Sequence, residues 1–320
     1  MNGLTLQRIQ DAHDRIRKYV KKTPLILSKA LSERCGGEIY LKLENHQHTN
    51  TFKFRGAINK MTELSPDESR AGVVTASSGN HAQGAALAAQ TLGIRATIFV
   101  PRDVSPLKLE NLEKYDVDIV RGGDFNEVEP RARAFGLERG LTYISPYNDY
   151  SIMAGQGTIA LEIDEELKDF DSVVVPVGGG GLISGIAVGV KSLHPDREVL
   201  GVLTPGAATM RESLRAGKLV KVDEFETLAE AFLGGIEDDA LTFDMVKEYV
   251  NEILLVQEES VANAMHLLWI EEKQVVEGAG ATSSALIMEQ GELFEGKRVV
   301  LIVSGGNIAD SLFSEMIGKH

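Results

Sequence analysis

Four short segments combine residue types that could do chemistry. Lys53 follows Thr51-Phe52 and opens a helix-like run from Phe54 to Leu64. A helix start carries partial positive charge, so an ammonium there is disfavoured and the free, nucleophilic amine is favoured. Ser77-Ser-Gly-Asn-His81 places two hydroxyls, a glycine, an amide and an imidazole ahead of a second helix-like run. That set suits a carboxylate or a hydroxyl, held with help from helix-start N–H groups. Gly178-Gly-Gly-Gly181 separates the β-branched run Val173 to Val175 from an apolar, helix-like run that opens with Leu182. Glycines let backbone N–H groups close around an anion without Cβ interference. A helix from Leu182 aims its positive end at the same point, which makes a phosphate site. Ser304-Gly-Gly-Asn307 follows a fourth apolar run. Each segment alone has an ordinary explanation: a solvated lysine, an N-cap cluster, a packed histidine, a tight turn.

The elements that must hold these segments alternate along the chain. Strand-like runs fall at Ile39–Leu43, Val73–Thr75, Ala96–Val100, Val117–Val120, Tyr143–Ser145, Val173–Val175, Val199–Val202, Ile253–Val256 and Val299–Val303. Helix-like stretches such as His81–Leu92, Leu107–Tyr115 and Ile152–Leu167 lie between them. This alternation predicts an α/β protein with open, mostly parallel sheets and helices on both faces. Nine strands are many for one sheet, so two sheets are expected. In such sheets ligands sit at the carboxyl ends of strands, where all four unusual segments fall. No repeat, low-complexity tract or Pro/Ser linker interrupts the pattern.

Composition narrows the partners. The 320 residues carry 33 Lys plus Arg against 47 Asp plus Glu, a formal net charge of −14. That argues against nucleic acid and anionic membranes. Any phosphate site must therefore be built locally from backbone dipoles. The single cysteine, Cys35, excludes an internal disulfide and a cysteine cluster for zinc. The N-terminal run, with charges among its apolar residues, has no signal-peptide core. Ser172 to Val190 is long and uncharged enough to mimic a membrane span, but its proline and glycines fit strand–turn–helix better. A soluble, cytoplasmic protein without an appended C-terminal regulatory domain is expected.

Taken together, Thr51-Phe-Lys-Phe-Arg-Gly-Ala57, Ala76-Ser-Ser-Gly-Asn-His-Ala-Gln-Gly84, Val177-Gly-Gly-Gly-Gly-Leu182 and Ser304-Gly-Gly-Asn307, in this order, are far more specific. With Lys42-Leu-Glu-Asn45 and Ala154-Gly-Gln-Gly-Thr158, the chain resembles the threonine/serine dehydratase and serine racemase family over nearly its whole length. These are pyridoxal-phosphate enzymes of fold type II, tryptophan-synthase-β-like.

The resemblance implies that Lys53 carries pyridoxal 5'-phosphate as a Schiff base and Phe52 packs beside the ring. It implies that Asn80 bonds the ring 3-hydroxyl and Ser304 faces the pyridine nitrogen. Gly178, Gly179, Gly180, Gly181 and Leu182 would give N–H groups to the phosphate. Ser77, Ser78, Gly79 and His81 would receive the substrate carboxylate. Lys53, once freed, would be the base for the α-proton, and Ser78 stands where racemases hold their opposite-face base. It also implies a large domain from residues 1–68 and 149–320, a small mobile domain from 69–148, and a homo-oligomer, dimer or tetramer. The implied reaction is β-elimination of water from L-threonine, L-serine or a similar 3-hydroxy amino acid. Amino-acid racemisation is the alternative.

Three departures bear on this. Asn50 stands where relatives usually have glycine, and asparagine tolerates the left-handed conformation. Leu203 and Thr209 replace the acidic ligands of a divalent-cation site, so no metal is expected there. Ala231 replaces a glycine near the substrate, which leaves substrate choice open. The stretch Leu228 to Ile236 looks somewhat like relatives assigned to hydroxyectoine breakdown.

Overall fold

The computed structural model describes residues 3–318. Ten strands, β1 (Leu25–Ser28), β2 (Glu38–Leu43), β3 (Val73–Ala76), β4 (Ala96–Val100), β5 (Asp118–Arg121), β6 (Thr142–Tyr143), β7 (Ser172–Pro176), β8 (Glu198–Leu203), β9 (Glu252–Leu255) and β10 (Arg298–Val303), form two sheets. The larger has the order β1-β2-β10-β7-β8-β9 and is parallel except for the edge pair β1–β2. The smaller has the order β5-β4-β3-β6 and is wholly parallel. All nine expected strands form. The tenth, β1, went unread because Leu25-Ile-Leu-Ser28 is short, at a sheet edge and bears one outward apolar residue, Leu27.

The helices along the chain are α1 (Leu6–Ile16), α2 (Lys29–Cys35), α3 (Lys53–Thr62), α4 (Pro66–Ala71), α5 (Asn80–Leu92), α6 (Pro106–Glu113) and α7 (Phe125–Arg139). They continue as α8 (Tyr150–Glu166), α9 (Gly181–Leu193), α10 (Thr209–Ala216), α11 (Leu241–Tyr249), α12 (Glu258–Ile270), α13 (Gly278–Gln290) and α14 (Asp310–Gly318). The large sheet is buried on both faces. Val173, Val175, Val300 and Ile302 pack toward α9, while Val174, Val299, Leu301 and Val303 pack toward α12 and α13. Continuous runs of β-branched residues, rather than alternation, are what a two-sided parallel strand requires.

Strand order reverses at one place in each sheet. In the large sheet β8 and β9 lie on one side of β7 and β10 on the other. In the small sheet β4 and β6 flank β3. Such reversals open a crevice at the carboxyl ends of the strands. The loops after β7, β10, β3 and β6 are therefore the ones that line a cleft.

Close helix packing sets the register between these loops. A Cβ at Gly155 on α8 would lie 2.5 Å from the Arg55 carbonyl of α3, and one at Gly185 on α9 would lie 2.2 Å from the Met153 carbonyl of α8. A Cβ at Gly84 on α5 would come 3.2 Å from the Cβ of Lys53. Only glycine permits these backbone approaches. They lock the starts of α3, α5 and α9 against one another.

Beneath Lys53 the packing is ionic. Arg55 and Lys42 are fully buried beside Glu44 and Glu162. Arg55 donates to Glu44 at 2.8 and 2.9 Å and to Glu162 at 2.6 and 3.0 Å. Lys42 Nζ lies 2.7 Å from Glu162 and donates to the Thr23 carbonyl at 2.6 Å. Two buried cations meet two buried carboxylates, and the part-exposed Glu166 lies a further 3.8 Å from Lys42 Nζ.

Candidate active site

Lys53 is the first residue of α3. Its side chain is enclosed by protein, with some access from the cleft, and Nζ donates to the Pro146 carbonyl at 2.9 Å. Burial pulls the ammonium down to about 8, with Glu277 opposing that fall. The amine is thus part-deprotonated near neutrality, the condition for a nucleophile or base. The Phe52 ring centroid stands 5.1 Å from Nζ. Asn50 adopts φ +53°, the left-handed turn that admits the chain into α3. Thr51 Oγ1 donates to the Ser304 carbonyl at 3.2 Å and the Phe52 amide to the same oxygen at 3.2 Å. The lysine loop and the loop after β10 are thereby joined, and buried Ser304 is brought alongside Phe52.

The glycine loop leads from β7 into α9, with Gly180 at φ +88° as its N-cap. Thr242 Oγ1 donates to the Gly179 carbonyl at 2.7 Å. Because the peptide is trans, the next N–H, of Gly180, points away from Thr242. Tyr147 stands over the loop: a Cβ at Gly179 would fall 2.5 Å from its ring, and one at Gly181 2.8 Å from its Cβ. Its hydroxyl accepts the Glu237 amide at 2.9 Å. A side chain at Gly179, Gly180 or Gly181 would collide with Tyr147, Met210 or Thr242, so this loop admits only bare backbone. Leu182 is buried behind it.

Across the cleft, Ser77 Oγ accepts the Gly79 amide at 3.2 Å and Ser78 is part-exposed. Asn80 opens α5. The His81 side chain is directed elsewhere: Nε2 meets Thr75 Oγ1 and the Ile144 carbonyl, each at 3.0 Å. Burial and then Lys53 push its pKa down to about 3. The imidazole is neutral and occupied, so what His81 offers a carboxylate is its main-chain N–H in the first turn. Ala231, expected near a ligand, is exposed on a turn whose Phe232 backbone abuts Gly178.

The most consequential residue not singled out from sequence is Glu277. It accepts from Asn80 Nδ2 at 2.7 Å, and burial pushes its pKa up to about 7. Its signal was an acidic residue directly before the small-residue run Gly278-Ala-Gly-Ala281, where a helix begins. Tyr147 and Pro146 carried no signal, since their roles arise from the sheet crossing alone. Leu203 is buried and apolar, and among the described residues no three His, Cys, Asp or Glu side chains cluster as for a metal.

A part-deprotonated lysine beside an aromatic ring, facing an N–H cradle for a phosphate, fits pyridoxal phosphate. Comparison with known proteins agrees. The family model described as pyridoxal-phosphate dependent enzyme matches residues 16–305. The chain belongs to the pyridoxal-phosphate-dependent enzyme family. Within it, the chain is 44% identical over 317 residues to an L-threonine ammonia-lyase of Thermotoga maritima, covering 99% of this chain and 79% of the relative. It is 39% identical to the catabolic L-threonine dehydratase of Escherichia coli, covering 98% and 96%. Maize serine racemase superposes with a TM-score of 0.93 at 32% identity, covering 99% of this chain and 98% of that one. Threonine deaminase isoform 2 of Solanum lycopersicum gives 0.90 at 34% identity, covering 98% and 93%. The family resemblance and the fold type II architecture expected from the four loops therefore hold.

Proposed function

We propose that this pyridoxal-phosphate enzyme removes water by β-elimination from L-threonine, L-serine or a similar 3-hydroxy amino acid, releasing a 2-oxo acid and ammonia. The observation that carries the reading is the lysine amine, lowered to about 8 by burial, across the cleft from the N-terminus of α5. Both relatives named above as ammonia-lyase and dehydratase support it. Lys53 holds the cofactor, and Gly178 to Leu182 hold its phosphate through main-chain N–H groups. When bound, pyridoxal phosphate withdraws electrons from the substrate's α-carbon.

The chain's own residues supply the rest. The helix start at Ser77, Ser78, Gly79 and His81 binds the substrate carboxylate. Lys53 Nζ would hold the cofactor and, as a free amine, would be the base for the α-proton. Phe52 packs at the ring, and Asn80 is its polar anchor. Ser304 presents a neutral hydroxyl where a carboxylate would hold a ring nitrogen protonated. A neutral partner there would leave the bound cofactor a weaker electron sink, which suits loss of the β-hydroxyl. Tyr147 and the turn around Phe232 cover the cradle and limit water.

A second reading, serine racemisation, is favoured by Ser78, part-exposed in the loop that leads into α5, and by the likeness to maize serine racemase. Chiral analysis of serine after incubation separates the two. We further propose that residues 69–148 move as a small domain against 1–68 and 149–320. Two charge pairs support a closing contact, Lys108 with Glu230 at 3.2 Å and Arg133 with Glu237 at 2.9 Å. A cytoplasmic homo-oligomer fits the exposed Leu27 on edge strand β1 and the absence, among described residues, of a helix long and apolar enough to cross a membrane. The test is Lys53→Ala. Both 2-oxo acid release and borohydride fixation of a pyridoxyl group at position 53 are expected to vanish, and turnover surviving in that variant overturns the assignment.

A further inference from the structure

The asparagine that opens α5 is held by a relay that the proposed reaction does not by itself require. Asn307 Nδ2 donates to Asn80 Oδ1 at 2.8 Å and to the Thr49 carbonyl at 2.8 Å. Asn80 Nδ2 donates to Glu277 Oε1 at 2.7 Å. Four separate segments are thus linked through two side-chain amides, Asn80 and Asn307: the lysine loop, the start of α5, the start of α13 and the loop after β10.

Glu277 occupies the N-cap position of α13, yet its side chain makes no capping bond there. It reaches Asn80 instead. The closing glycines make room for it. A Cβ at Gly305 would lie 2.6 Å from Glu277 Oε1, and one at Gly306 would lie 2.4 Å from the Val275 carbonyl. The Glu277 amide also donates to the Gly305 carbonyl at 3.2 Å. Gly305, the second residue of Ser304-Gly-Gly-Asn307, is therefore the seat for this carboxyl, while Gly306 admits the Val275 carbonyl. The same loop's last residue grips the other end of the amide that the carboxyl holds.

An asparagine amide has one oxygen and two N–H hydrogens. Here the oxygen accepts from Asn307 and one N–H is held by Glu277, which leaves the second N–H and one lone pair of the oxygen. We propose that Glu277, with Asn307, is a positioning residue that biases the flip state of Asn80, so that its remaining N–H is the group turned toward the cofactor. The inference rests on the reading that Asn80 meets the ring oxygen of pyridoxal phosphate. An N–H favours that oxygen in its ionised form, whereas a flipped amide would set oxygen against oxygen. The charged neighbours of Glu277 are Lys53, Glu230 and Lys108, and their mixed signs leave no strong excess of charge on the carboxyl.

The test uses the holoenzyme and reads absorbance and cofactor affinity. Wild type, Glu277→Leu, Glu277→Gln, Asn307→Ala and Asn80→Ala are compared at fixed pH, with thermal melts of the cofactor-free proteins to register folding. Glu277→Leu and Asn80→Ala are each expected to lower the ratio of yellow, oxygen-ionised cofactor to its colourless neutral form by about tenfold or more, the size of one hydrogen bond to a charged oxygen. Asn307→Ala is expected to give a smaller fall in the same direction. Glu277→Gln keeps an acceptor oxygen and is expected to recover most of the wild-type ratio. If Glu277→Gln is as impaired as Glu277→Leu, the carboxyl acts through charge or a proton and the positioning role is wrong. If Asn80→Ala shifts the ratio but Glu277→Leu and Asn307→Ala do not, the relay is structural only and the inference also fails. Should Glu277→Leu not fold, Asn307→Ala and Glu277→Gln decide. Failure of wild type to fix a pyridoxyl group at Lys53 would instead sink the cofactor reading beneath it.

Discussion

Replacing Glu162 by glutamine isolates the buried charge cluster under the active-site lysine. Arg55 and Glu44 are wholly inaccessible, as is Lys42, and the Glu162 side chain is 3% exposed. The substitution keeps shape but leaves two buried cations facing one buried carboxylate, with the part-exposed Glu166, 3.8 Å from Lys42 Nζ, as the only further compensation among the described ion pairs. It removes the charged acceptor for Lys42 Nζ at 2.7 Å and for both terminal nitrogens of Arg55. Breaking such a pair from one side costs about 3–5 kcal/mol, because the orphaned charge remains buried. Melting entropy of about 2.1 cal/mol/K per residue gives about 0.7 kcal/mol/K for a chain of this length. The expected fall in Tm is therefore about 4–8 °C, read by thermal and urea unfolding of the cofactor-free protein. The double variant Lys42→Met/Glu162→Met leaves Arg55 with Glu44 and restores neutrality, so it is expected to recover at least half of the loss. The sign with pH is fixed as well. Arg55 and Lys42 hold the Glu162 carboxyl below its ordinary range despite burial. Its contribution is present above pH ~4.5 and is lost as acid titrates through the lower native pKa, so Glu162→Gln flattens that acid limb. Arg55 is two residues from Lys53 on α3, so turnover is expected to fall beyond what unfolding explains. A loss below about 1 kcal/mol, or a double variant no more stable than the single, would refute the charge-balance argument.

Two further outcomes follow from the site. Gly180→Ala forces a left-handed residue at φ +88° and sets a methyl 2.8 Å from Met210 Cε. About 1–2 kcal/mol of backbone strain, if relieved by the loop leaving this conformation, predicts about a fivefold or greater weakening of the hold on pyridoxal phosphate by fluorescence titration, and unchanged affinity would remove the cradle from that loop. His81 titrates at about 3 in the folded chain, against about 6.5 unfolded. Between those values only the unfolded state takes the proton, so His81 removes about 1.4 kcal/mol of stability per pH unit on acidification. His81→Asn is expected to flatten unfolding free energy between pH 6.5 and 5, and an unaltered slope would show that the imidazole is protonated in the native protein.

How much of this was legible beforehand follows from range. Strands and their loops are short-range matters: Val173 to Val175 and Val299 to Val303 announce two-sided burial by composition alone, and four glycines in sequence announce bare backbone. Lys53 could be placed at a helix start by its neighbours. The opposite holds where one residue's role is set by another far along the chain. Nothing local marks Arg55 and Lys42 as buried; that follows only when β2, α3 and α8 are packed together with Glu44 and Glu162 between them. His81 read as a ligand because of its loop, yet Thr75 and the Ile144 carbonyl claim its ring from the adjacent strand and the chain beyond β6. Glu277 lies 197 residues from the amide it holds.

The sequence alone thus determined which backbone stretches could be strand, turn or helix start, because periodicity and glycine act within a few bonds. The tertiary structure decided which charges are buried, which polar atoms are already partnered, and how far the lysine amine falls from its ordinary pKa. Those are sums of desolvation and contact over segments that meet only when both sheets have formed, and no local stretch of chain contains them.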